Sequence, residues 1–475
     1  MKNLFHPMRS RIGLVAFVAL WTAAGTARAL GPHEILLLVN ARSDASEEIA
    51  KAYARLRRVP AANIVRVNIP LQDGRAPVEI SPSQFTEWIW EPARQAAMRN
   101  GVDGHVLAWV YSADFPVRVA TDPPMSLTGI TFARNRIPVS DVIKRGAFPN
   151  PLFAGPNRDG TDARLSQTFD VSKAWLGDAM PLPAMMLGVS GPRGNTVQEI
   201  LASLRRGQAS DGTRPDRAVY FVVGDDIRAR ERAWQFPGAV KELRKRGVHA
   251  EIVNAFPSDR PDIVGLMTGA ARVTPVSAGR FRPGAMADHL TSFAAAFDTT
   301  GQTPLSDWIR AGATVSAGTV TEPYALWMKF PHARFFVHYA AGCTALESFY
   351  QAIRSPLQIL PVGDPLAQPW APRATLTLDS VERGAEKNSM IATVTLHAGP
   401  VDHYPTVFFL LDGRPLPETS EIKRDPPAVR KASEQQRAFL LRTGRLPNKR
   451  YALRAVAIGA GSVRNRIFDE QTVKP

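Results

Sequence analysis

Acidic and imidazole side chains recur in this chain just past short aliphatic runs, the position from which an open α/β sheet presents groups to a ligand. Asp225 and Asp226 follow AVYFVVG, Asp288 and His289 follow PGAMA, and Glu322 follows VSAGTVT. Brought together, such carboxylates and an imidazole could coordinate a divalent cation or serve as acid and base. The chemistry expected of Asp288, His289 and Glu322 is hydrolysis, metal-assisted or not, and that of Asp225 and Asp226 is ligand binding. Their spacing matches no established metal motif. Asp also ends strands and starts helices by accepting backbone N–H groups, so capping competes with chemistry at each position. Ser292 lies near His289 but without the G-x-S-x-G turn that exposes a serine nucleophile.

The single cysteine is Cys343. It precedes Thr344, which with Glu347 spells the T-x-x-E capping box of a following helix, and a thiol at a helix N-terminus is acidified by the dipole. It also follows the apolar run FFVHYAAG, which favours a small core residue. SGPRGN (residues 190–195) precedes a second capping box, Thr196 with Glu199; a glycine-rich turn there either cradles an anion or simply turns, and it lacks the Lys-Ser or Lys-Thr of a P-loop.

From residue 34 onward, apolar runs alternate with amphipathic stretches, the pattern of βαβ units around a mostly parallel sheet flanked by helices. EILLLVN, NIVRVNI, HVLAWVY, AMMLGVS, AVYFVV, HAEIVN, IVGLMTG, PGAMADHL and ATVSAGTV read as strands, and LPVGDPL closes the region. Helices are expected over 43–57, 83–100, 196–206, 230–246 and 345–353. The Pro-, Gly- and Arg-rich stretch from Asp114 to about Ala179 shows no periodicity and reads as a functional loop or lid. After Pro372 come short strands with turn signals, among them Asp412-Gly413, spaced like an all-β immunoglobulin-like sandwich. The expected division is an export signal over 1–29, an α/β unit over 30–371 and a β-sandwich over 372–475.

The segments LLLVNARSDASEEIAKAYARLRRVPAANIVRV, PGAMADHLTSF, GATVSAGTVTEPY, AAGCTALESFYQAI and LPVGDPLAQP occur in that order. Together they resemble an uncharacterised family of exported bacterial proteins with a caspase-like or gingipain-like α/β core. That resemblance implies a His ending one strand and a Cys ending the next, the imidazole taking the thiol proton while N–H groups hold the oxyanion. The strand-end position expected to carry Cys reads Ala287-Asp288-His289-Leu290-Thr291-Ser292, and the only His between residues 106 and 288 is His249, followed by Ala250. The peptidase dyad is not found, and the resemblance implies a non-peptidase member that binds a ligand or a surface.

Composition bounds the remaining possibilities. The chain of 475 residues is 45% hydrophobic, carries a formal charge of +15, and has one Cys, which excludes internal disulfides and Cys-rich zinc sites. Lys2, Arg9 and Arg11 precede the apolar run from Ile12 to Ala24, and Ala27-Arg28-Ala29 places small residues where a signal peptidase reads. Cleavage after Ala29 removes Lys2, Arg9, Arg11 and Arg28, leaving +11. The product is expected in the periplasm or outside the cell, with no apolar stretch left to span a bilayer. Its basic surface, including Arg228, Arg230, Arg232, Arg244, Lys245 and Arg246, points to anionic envelope components or polysaccharide ahead of nucleic acid, for which no recognised motif is present.

Overall fold

A computed structural model describes residues 30–169, 180–397, 403–422 and 434–474; the export signal expected over 1–29 lies outside them. Strand β1 (Ile35–Asn40) is buried at every position. It sends Ile35, Leu37 and Val39 into one core and Leu36 and Leu38 into another, as period-two alternation requires of a strand covered on both faces. The helix Asp44–Arg57 follows, capped by the Ser43 hydroxyl on the Ser46 N–H and burying Ile49, Ala50 and Tyr53 against the sheet. Next come β2 (Ile64–Val67), β3 (Glu79–Ile80), the helix Glu91–Asn100 and β4 (Ala108–Tyr111).

The stretch read as an irregular loop is partly ordered structure. It carries β5 (Arg118–Val119) and β6 (Met125–Ser126), which join β3 in a three-stranded sheet, and the helices Leu127–Phe132 and Ser140–Arg145. Elements this short do not complete a hydrophobic period, so pattern reading passes over them. Residues 170–179 of that stretch lie outside the described ones.

Beyond it are β7 (Ala184–Met186), the helix Val197–Ser210 and β8 (Ala218–Val222). The single basic helix expected over 230–246 is two, Ile227–Ala233 and Phe236–Lys245. The break falls before Pro237, which lacks an N–H and fits only the first turn of a new helix. Strands β9 (Ala250–Val253), β10 (Arg260–Gly269), β11 (Gly279–Leu290), β12 (Val315–Thr319) and β13 (Ile359–Gly363) follow, with helices Leu305–Ala311, Phe335–Ala340 and Ala345–Ala352 between the last three.

These strands build a mixed, mostly parallel ten-stranded sheet in the order β2-β1-β4-β7-β13-β12-β11-β10-β8-β9. β13 runs antiparallel to β12 from Val315–Gly363 to Thr319–Ile359 and meets β7 at Val362–Met186. The chain reverses its direction of travel across the sheet twice, between β1 and β4 and between β8 and β10. Such switch points leave crevices at the carboxyl ends of the strands. Gly363 must be glycine: its φ is +129°, and a Cβ would lie 2.1 Å from the Thr314 carbonyl oxygen. Asp364, just beyond, accepts from Tyr53 Oη (3.1 Å) and Arg57 Nε (3.0 Å), and Arg57 also pairs with Asp211. This knot ties the ends of two helices to the end of β13.

The C-terminal strands are β14 (Thr375–Arg383), β15 (Ser389–His397), β16 (Thr406–Leu411), β17 (Arg414–Pro415), β18 (Thr419–Ile422), β19 (Glu434–Arg442), β20 (Tyr451–Ile458) and β21 (Arg466–Val473). They form two four-stranded antiparallel sheets, β14-β15-β19-β18 and β17-β16-β20-β21. Leu376, Leu378 and Val394 of one share a core with Phe409, Leu453 and Ala455 of the other. Asp412 (φ +49°) and Gly413 (φ +83°) make the tight turn between β16 and β17, as their sequence predicts. The sheets hold to the α/β part through Arg466 Nη2 on Glu34 Oε1 (2.6 Å, both side chains 2% exposed) and Arg414 Nε on the Asn100 carbonyl (2.7 Å).

Candidate functional site

Alternation along β11 decides what Asp288 and His289 can do. Met286 and Leu290 face one core and Ala285 and Ala287 the opposite one, so the two residues project to opposite faces. Asp288 is fully buried and ion-paired with Arg232, which also donates to the carbonyls of Thr268 (2.9 Å) and Pro331 (2.8 Å). On the other face, His289 packs edge-on against Trp308 with ring centroids 5.9 Å apart, and its Nε2 lies 2.6 Å from the Ala270 carbonyl. A carbonyl only accepts, so Nε2 carries the proton. Burial, the largest influence, pushes the imidazole pKa down to about 4, so the ring is neutral at pH 7.

Asp226 comes close enough for its charge to act on His289, but its own work is capping. It starts the helix Ile227–Ala233 by accepting from the Arg228 N–H (2.9 Å) and pairs with the Arg228 guanidinium at 3.2 Å. Burial raises its carboxyl pKa, and these contacts outweigh that to hold it below the ordinary value. Asp225 is exposed beside it. Glu322 is also exposed and accepts from the Tyr324 N–H (2.7 Å) in its own turn. The structure thus leaves Asp288 with Arg232 on one face of β11 and His289 on the other, with the Asp226–Arg228 pair near enough for its charges to act on the imidazole, while Asp225 and Glu322 face solvent. Among the described residues, no group of three or more His, Cys, Asp or Glu side chains is arranged to hold a metal ion.

Cys343 is fully buried, its Sγ donating to the Gln167 carbonyl at 3.3 Å. Burial first, and the neighbouring Glu347 second, push the thiol well above its ordinary pKa, so little thiolate forms at neutral pH. We expect no modification of native protein by a maleimide and full modification after denaturation; rapid labelling of the native chain, read by mass spectrometry, would reverse this assignment.

Two features at the strand ends escaped the sequence reading. The first is at the β1/β4 switch point. There Asp114, at φ +53°, accepts from the hydroxyls of Ser43 and Ser190, while Asn40 Nδ2 donates to its carbonyl (3.0 Å). The usual signal was present, an Asp past an apolar strand, but it coincided with the start of the aperiodic stretch.

The second is an open pocket of about 540 Å³, framed by loops that follow β7, β10 and β11. Arg193, Arg272 and Arg310 line it together with Asp307, whose carboxylate is ion-paired with Arg310 at 2.5 Å. Arg272 Nε is fixed on the Gly301 carbonyl (2.7 Å), and Arg310 on the Gly194 carbonyl (2.9 Å) and Glu199 (3.0 Å). Arg193 reaches the Gln302 carbonyl with Nη2 (3.4 Å), while its Nε is buried with no hydrogen-bond partner. The 190–195 turn that carries Arg193 is closed by Asn195 N on the Val189 carbonyl (2.7 Å) and Gly194 N on Gly191 (3.1 Å). It is anchored at one end by Ser190 on Asp114 and at the other by Asn195 Nδ2 on the Ser306 carbonyl (3.0 Å). The glycine-rich turn therefore presents a guanidinium where sequence suggested backbone N–H groups. No protein-family model matches the chain, and no curated protein matches it significantly.

Proposed function

We propose that the chain is an exported binding protein, with a caspase-like or gingipain-like α/β unit devoid of peptidase chemistry and an immunoglobulin-like C-terminal module. Its ligand is an anionic group of an envelope polysaccharide, held in the strand-end pocket by Arg193 and Arg272 with Arg310 behind them. One observation carries the reading: Arg193 and Arg272 line one open pocket without a carboxylate partner among the described residues, while Arg310 beside them is matched by Asp307 and Glu199. Guanidinium forks bind carboxylate and sulfate with paired charge-assisted hydrogen bonds. Anchoring of the Arg193 turn by Asp114 and of Arg272 by Gly301 lowers the ordering cost of binding.

Isothermal titration with a carboxylated oligosaccharide (oligogalacturonate) and a sulfated one (a heparin fragment) tests this. We expect saturable binding that weakens with salt, and a loss of at least about tenfold in affinity in Arg193→Ala/Arg272→Ala, since each lost charge-assisted bond is worth about 1.5–3 kcal/mol. Absence of saturable binding to both, or affinity unmoved in the double variant, would overturn the reading.

A further inference from the structure

The first described residue, Leu30, follows the Ala27-Arg28-Ala29 signal and is 5% exposed. Its backbone N–H points into the protein and donates to Glu347 Oε1 at 2.9 Å. Glu347 is fully buried. The same Oε1 accepts from the Phe169 N–H (3.0 Å), and Oε2 accepts from the Thr344 N–H and hydroxyl (both 2.9 Å). Only the Thr344 contacts belong to the capping box; Oε1 faces away from its helix toward the start of the chain. The cation whose charge reaches Glu347 is Arg466, and that guanidinium is already engaged with Glu34. A buried carboxylate supplied only with neutral donors is costly, and burial pushes the Glu347 carboxyl up despite them.

We propose that hydrolysis of the Ala29–Leu30 bond creates the missing cation: the Leu30 α-ammonium pairs with Glu347 and locks the processed fold. In that step a processing peptidase adds water across the peptide bond. The C–N bond breaks, Ala29 leaves with a carboxylate, and the Leu30 nitrogen takes a proton, since an α-amine has a pKa near about 8. The nitrogen already stands at hydrogen-bonding distance, so no rearrangement is needed; a neutral N–H donor becomes a charged one at the same place. Gly31 strengthens the register, its N–H donating to Glu34 Oε2 at 2.8 Å. The unprocessed chain lacks this pair, which makes removal of the leader a step toward full stability as well as release. This inference depends on cleavage at Ala29 and is independent of the arginine pocket.

The test compares full-length mature chain beginning at Leu30, released from a fusion whose protease leaves no extra residue, with chain retaining Arg28-Ala29. Each is prepared with Glu347 and with Glu347→Gln and unfolded in urea. The Leu30 chain is expected to exceed the extended one by about tenfold in folding equilibrium constant, the gain of a charged over a neutral hydrogen bond, and the gap is expected to close in Glu347→Gln. Equal stability of the two wild-type N-termini, or a gap that persists in Glu347→Gln, overturns the proposal. Should Glu347→Gln not fold, the Leu30 chain with its α-amine acetylated replaces it: acetylation that lowers stability to that of the extended chain supports the pair, and acetylation without effect overturns it. N-terminal sequencing of the exported protein must read Leu-Gly-Pro-His; any other start overturns it.

Discussion

Acidification from pH 7 to about 4.5 is expected to unfold the α/β part, and histidines rather than carboxylates are the cause. Burial holds His105 and His289 near a pKa of about 4, His332 near about 3, and His338 well below its ordinary value. Arginines reinforce burial around the last two, Arg334 and Arg232 near His332 and Arg334 and Arg246 near His338. Hydrogen bonds fit the neutral rings: His332 Nδ1 accepts from the Arg334 N–H (3.0 Å), and His338 Nδ1 meets the Ser166 hydroxyl (2.9 Å). Because the folded pKa values are depressed, the unfolded chain binds protons first. The stabilisation is complete above the unfolded value of about 6.5 and is lost as pH falls through it toward the folded values. A depression from 6.5 to about 4, as at His289, corresponds to about 3 kcal/mol, and several together rival the 5–15 kcal/mol that holds a typical domain. Circular dichroism in urea at stepped pH should show the midpoint falling between pH 6.5 and 4.5, with His338→Gln flattening the slope. A midpoint flat over that interval would refute the assignment.

Asp288→Ala is expected to cost about 3–5 kcal/mol, because it leaves the Arg232 guanidinium buried without its counter-charge. Arg232 is 1% exposed and cannot swing to solvent. Replacing both partners together, Asp288→Leu with Arg232→Met, should recover much of that loss, since a buried pair is expensive to break and cheap to remove whole. A change below about 1 kcal/mol in Asp288→Ala, measured by urea unfolding, would return the carboxylate to the list of functional candidates, because carboxylates held for chemistry are commonly replaced at little cost in stability.

The strands of the main sheet were legible because they are buried on both faces, and an unbroken run such as ILLLVN needs no tertiary information to be recognised. Capping boxes at Thr196/Glu199 and Thr344/Glu347 were equally legible, their chemistry being local, and both are present with reciprocal bonds. Strand order was not, since β13 inserts between β7 and β12 through contacts that no local pattern encodes. The same limit governed the sites. An Asp at a strand end looks alike whether it caps a helix, as Asp226 does, pairs with a buried arginine, as Asp288 does, or anchors a turn, as Asp114 does. Arg193 in the glycine-rich turn, Arg272 in a loop and Arg310 in the helix Leu305–Ala311 are scattered over more than a hundred residues of sequence, so their convergence is visible only in three dimensions.

The ion pair between Glu34 and Arg466 spans 432 positions of sequence. Synthesis delivers Glu34 well before Arg466, so this link to β21 closes after every strand of the main sheet has been made. The last strand of the central sheet in chain order, β13, ends at Gly363, about a hundred residues before Arg466, so that sheet can pair before the joint to the C-terminal sheets closes. The Glu34–Arg466 pair is thus a clasp between two parts whose strands pair among themselves, and it marks their docking and not the folding of either.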